Sequence, residues 1–196
     1  MEEELAHRAE RALGPDWLTF GAVVASWMEK NRESLRSGWS YPIDDEELLN
    51  HELGVFIHDP GDTRQTEIDY SATPRDSFAF ARTGMDGEHY SVLLDDGCVG
   101  VIVLTVPMAF DNEHVVVGES FSEALSLVSG GCGLAVPPGI AYGAWDRTLA
   151  VIKDSSDNSL WRELRSGMGL MPWPDPASRL AELREEYLPL VHRRRD

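Results

Sequence analysis

Lysine is nearly missing from this chain of 196 residues: Lys30 and Lys153 are the only two. From Thr83 through Asp146 there is neither lysine nor arginine. A Walker-type phosphate loop has no lysine to use, and no GxGxxG follows an apolar run. A GxSxG elbow and an HExxH pair are also missing. Cysteine is scarce too. Cys98 and Cys132 stand apart, which rules out a disulfide framework and a CxxC redox pair. Both are flanked by glycine or apolar residues and are expected to be buried thiols. The longest apolar run, Val99 to Met108, is far short of the ~20 residues of a membrane helix. The start, Met1-Glu2-Glu3-Glu4, is acidic where a secretory signal is basic. These absences lead to the expectation of a soluble protein of cytoplasmic type, with no membrane partner.

What is abundant is negative charge. Asp and Glu number 34 against 17 Lys and Arg, a net charge of -17 and a pI near 4.6. Such a field repels nucleic acid, because phosphate binding needs Lys and Arg. It attracts basic proteins. The acids are also unevenly placed. The stretch Asp44–Asp69 holds nine against Arg64 alone, and Thr83–Asp146 holds another nine against no base. With 42% apolar and 26% charged residues the chain has ordinary globular values, so it is expected to fold rather than stay disordered. Its length suits a single domain.

Helical spacing of Leu5, Ala9, Ala12 and Leu13 predicts a helix over 2–13, stopped at Gly14-Pro15. Asp16 caps a second helix over 17–35, with Trp17, Phe20, Val23, Val24, Trp27 and Met28 on one face. Asp44-Asp45-Glu46-Glu47 opens a short helix ending at Gly54. Val55–His58 is a strand candidate, and 59–74 reads as a loop or weak strand. The centre reads as β. Ser77–Arg82, His89–Leu94, Cys98–Val106 and Val115–Val117 are the strands, with turns at Gly84–Gly87 and Asp95–Gly97. Ser120 or Glu119 begins a helix to Val128. The segment 134–145 reads as irregular. Leu149–Ile152 is a short apolar run. Helices are expected from Asn158 or Ser159, and over Ala177–His192. The three prolines around Trp173 exclude regular structure there. The order of helices, antiparallel sheet and helices predicts an α+β domain. Its parts are a helical region over about 1–53, a β-rich centre over about 54–128 and a mixed helical region over about 129–196.

The chemistry-bearing residues are scattered. The six histidines form no HxH or HxxxH pair. His58, Asp59 and Asp62 make a conceivable metal corner, and Asp111-Asn112-Glu113-His114 invites the same thought. Asp86, Glu88 and His89 could serve as acid and base. Each of these is explained more simply as polar turn chemistry. No catalytic residue, metal or cofactor is assigned, although a small metal-dependent hydrolase using His58, Asp59, Asp62, His89 or His114 is the alternative. Trp17 and Trp27 belong to a core face. Trp173, if exposed, would be an interface anchor. The acidic turns are the better lead. Asp86, Glu88, Asp95, Asp96, Asp111 and Glu113 are expected to present negative charge to a basic protein partner.

One block carries a family resemblance. Phe78-Ala79-Phe80-Ala81-Arg82-Thr83-Gly84-Met85-Asp86-Gly87-Glu88-His89-Tyr90 resembles the strand–turn–strand of the SUKH superfamily. Pro107–Asn112 and Val115–Leu125 are similar to its later strand and helix, so the resemblance spans roughly Asp76 to Ser129. It implies an α+β binding domain without catalytic residues. Bacterial members of that group are inferred to be immunity proteins against toxins, many of them nucleases, and yeast relatives regulate glucan synthesis. A basic toxin domain is therefore the expected partner, with a regulatory scaffold as the other non-catalytic alternative.

Overall fold

A computed structural model describes residues 2–60, 70–84, 86–129, 133–135, 137–144, 147, 148, 150 and 158–191. The N-terminal helical stretch, α1 (Glu2–Ser37), is two helices joined at a kink. Gly14 supplies it with φ 70° and ψ -168°, a combination that a side chain resists, and Pro15 follows. The apolar stripe read from the sequence faces inward. Ala9, Leu13, Trp17, Phe20, Val24, Trp27 and Met28 are all buried.

Helix α2 (Asp45–Leu53) starts where Asp44 accepts the Glu47 amide at 2.8 Å, and ends at left-handed Gly54. Five strands follow: β1 (Phe56–Ile57), β2 (Ser77–Arg82), β3 (His89–Leu93), β4 (Ile102–Thr105) and β5 (His114–Gly118). They pair in chain order, every neighbour antiparallel, so the sheet is a meander. Helix α3 (Phe121–Val128) begins at Ser120, whose hydroxyl accepts the Glu123 amide. A single helical turn, α4 (Pro138–Ala141), sits inside the segment expected to be irregular. Helices α5 (Ser159–Met168) and α6 (Pro176–Tyr187) open at Asn158 and Asp175. The architecture is α+β, as the order of elements predicts.

Alternation along the strands sends side chains to two buried layers. Tyr90, Val92, Ile102, Leu104, Val115 and Val117 join α1, α3 and α5 in the larger one. Leu93, Val101, Val103 and Val116 pack with Cys98 and with Leu183 of α6 in the smaller one. Trp173 packs against both layers. It is a seam between them rather than an exposed anchor.

The expected strand Cys98–Val106 is shorter than the apolar run. Cys98, Val99 and Gly100 belong to the β3–β4 turn instead. The Cys98 amide bonds to the Asp95 carbonyl, the Gly100 amide to that of Leu93, and Gly100 takes φ +92°. Hydrophobicity marks the burial of Cys98 and of Val101 to Val106 but not of Val99, which is exposed, and turn hydrogen bonds decide the backbone of 98–100. Cys98 is buried, with its thiol pushed up by burial and then by Asp95. The expected terminal helix likewise gives way at Leu188–Leu190 to a 3₁₀ turn, where Pro189 sits. Cys132, most of the loop 59–74 and most of Leu149–Ile152 lie outside the described residues, as does His192.

Gly118 closes β5 against α3. A Cβ there would stand 2.6 Å from the Ala124 amide nitrogen and 3.0 Å from the Ser120 carbonyl oxygen. Both neighbours are backbone and cannot swing aside. Gly118→Ala is expected to cost about 1–3 kcal/mol. Gly97→Ala, whose Cβ meets nothing within 4 Å, is expected to change stability by less than about 0.5 kcal/mol. Urea midpoints of the two variants check this.

Candidate functional site

A meander places alternate connections at opposite ends of its sheet. The β2–β3 turn (83–88) and the β4–β5 connection (106–113) share one end. The β3–β4 turn (94–101) lies at the other. The six acids picked out in the sequence are therefore divided. Asp86, Glu88, Asp111 and Glu113 belong to the first end, and Asp95 and Asp96 to the second. No single face can carry all six.

The first end is built on a row across the sheet. Arg82 pairs with His89, His89 with Thr105, and Thr105 with His114. His89 and Thr105 are fully buried and His114 is 9% exposed. The His89 Nδ1–H donates to the Gly87 carbonyl at 2.7 Å, and its Nε2 lies 3.3 Å from Thr73 Oγ1. Tyr70 stacks on the His89 ring at 6.1 Å and crowds Gly87, which holds φ +77°. His114 Nδ1 lies 3.4 Å from Thr105 Oγ1, and its Nε2 is buried without a partner. Burial, followed by the neighbouring His89, lowers the His114 pKa from 6.5 to about 4. His114 is therefore held as a neutral ring.

Above the row the carboxylates part company. Glu88 and Glu113 are turned inward, each 7% exposed, while Asp86 stays exposed in the turn with φ 42°. Glu88 Oε2 accepts from Thr83 Oγ1 at 3.0 Å, and Oε1 from the Tyr142 hydroxyl at 3.5 Å. No described cation pairs with it. Burial raises its pKa, the two hydroxyl bonds pull it back, and Asp86 raises it further. Tyr142 is itself raised, by desolvation and then by Glu88 and Asp86.

Sequence reasoning missed the apolar part of this end. Phe110 is 70% exposed, Met108 51% and Tyr142 50%. Asn112 Nδ2 donates to the Ala141 carbonyl at 3.1 Å, which ties the β4–β5 connection to the end of α4. Tyr142 then reaches the β2–β3 turn through Glu88. One rim thus gathers Asp86, Glu88, Met108, Phe110, Tyr142 and Tyr70. The signal was legible as Pro107-Met108-Ala109-Phe110, an apolar stretch in a connection, but nothing local showed that it would face water.

Among the described residues no three His, Cys, Asp or Glu side chains group as metal ligands. Asp62 of the conceivable metal corner lies outside them. His89 and His114 flank Thr105 in the row, and among the described residues no third metal-ligating side chain joins them. No helix among the described residues is long and apolar enough to cross a membrane. Comparisons with protein-family models, with curated proteins and with solved structures give no match.

The His114 shift has a measurable consequence. Its folded pKa lies below its unfolded value of 6.5, so the unfolded chain binds the extra proton between pH 6.5 and about 4. Stability must fall as pH drops through that window, by up to about 3 kcal/mol from this residue. Urea unfolding at the two ends of the window should show a steeper acid loss for the native chain than for His114→Asn. An equal loss in both would contradict the buried neutral ring.

Proposed function

We propose that this chain is a non-catalytic binding protein for a basic protein, of the kind that the SUKH resemblance implies for immunity proteins against basic toxins. The observation that carries the reading is a buried carboxylate, Glu88, with no cation beside it among the described residues. Glu88 is buried within a stretch of the chain, Thr83 to Asp146, that contains no lysine or arginine. Burying an acid among neutral hydroxyls costs free energy that a cation from outside can recover. The net charge of -17 speeds the approach of such a partner. The resembling residues Phe78–Tyr90 are the strands and turn that place Glu88. A reducing, cytoplasmic setting accords with two cysteines that stand apart in the sequence.

The test is calorimetric titration with a panel of basic nuclease toxin domains. At least one member should bind, and its Kd should weaken by roughly tenfold or more between low salt and about 0.3 M salt. Protection of cells expressing that toxin should follow. Failure of every member at low salt, or binding indifferent to salt, would contradict the reading.

A further inference from the structure

Resting on that reading, we infer that the partner docks on one end of the sheet only, the rim of Asp86, Glu88, Met108, Phe110 and Tyr142, through a segment that presents arginine beside an apolar side chain. Four exposed large apolar groups gather here: Tyr70, Met108, Phe110 and Tyr142. Monomeric proteins leave isolated apolar residues in water without consequence, whereas a group rimmed by charge marks a contact surface. Phe110 is the most exposed of them, and it is held outward by a backbone at φ 44°. No other described element covers it.

The polar half of the rim selects the occupant. Tyr142 offers a half-exposed ring whose hydroxyl points at Glu88, with Asp86 close enough to act on both. A guanidinium stacks on an aromatic face and forks onto carboxylates, and an ammonium does neither as well. Arg82, which ends β2 at this end of the sheet, is engaged elsewhere: its guanidinium lies over the Phe56 ring at 5.2 Å. The opposite end of the sheet is a poorer dock. Asp95 and Asp96 are exposed there, but Arg8 and Arg11 line the same cleft as Asp96, so the charge is already offset.

The probe is a synthetic peptide of alternating arginine and leucine, with lysine–serine and glutamate–leucine peptides as controls, titrated into the ¹⁵N-labelled protein. Shift changes should centre on the amides of 86–89, 108–113 and 142–143, and be weaker with the lysine–serine peptide. Phe110→Asn and Asp86→Asn should each weaken binding severalfold, while Asp95→Asn with Asp96→Asn should not. Shifts spread over the acidic surface, or centred on 95–100, would overturn the inference. A toxin domain that binds the Phe110→Asn and Asp86→Asn proteins as tightly as the native chain would overturn it too, and would leave the proposed function standing. If no basic domain binds the native protein, both fall. Circular dichroism of each variant separates lost binding from lost fold.

Discussion

Strand β4 meets water on neither face. Ile102 and Leu104 enter the layer of α1, α3 and α5, while Val103 enters the layer of α6. Both neighbouring strands pair with it over its whole length, with a register shift against β5 between Ile102 and Val103. A strand covered on both sides reads as a continuous apolar run, and its hydrogen-bonding groups must all be met within the sheet. Thr105, the last residue of β4, is the only polar one in it. There the chain changes from packing to polar chemistry, with His89 and His114 on either side. The rim is where an otherwise dry sheet comes to the surface.

That position explains why buried ionisable groups collect at one end. Glu88, His89, Glu113 and His114 are too close to the core to be well hydrated, and each perturbed group among them is shifted toward its neutral form. Buried charge of this kind is tolerated where hydrogen bonds or a partner compensate it. The cluster includes a histidine pair, and among the described residues no three His, Cys, Asp or Glu side chains group as metal ligands. Exposed apolar side chains, Met108, Phe110 and Tyr142, stand at the same end of the sheet.

Much of the fold was legible because local signals agreed with one another. Gly14-Pro15, Asp44, Ser120 and Asn158 all mark helix boundaries as the sequence suggests. The hairpin around Gly84–Gly87 was plain from turn chemistry. Legibility failed where one signal served two outcomes. Cys98–Gly100 is apolar in sequence and a turn in space, because backbone bonds to Asp95 and Leu93 outcompete strand pairing. Trp173 looked available for a partner, and two core layers occupy it. Of the six acids, type and turn position were readable, but their division between two ends was not. That depends on strand order, which no local pattern encodes.

The account stands or falls on which end of the sheet a basic partner covers. Hydrogen exchange read by mass spectrometry, on the protein alone and bound to a basic toxin domain, measures this directly. Slowed exchange is predicted in the β2–β3 turn, in 106–113 and around Tyr142, with the β3–β4 turn unchanged. Protection confined to 95–100 or to the exposed side of α1, with the rim exchanging as before, would contradict it.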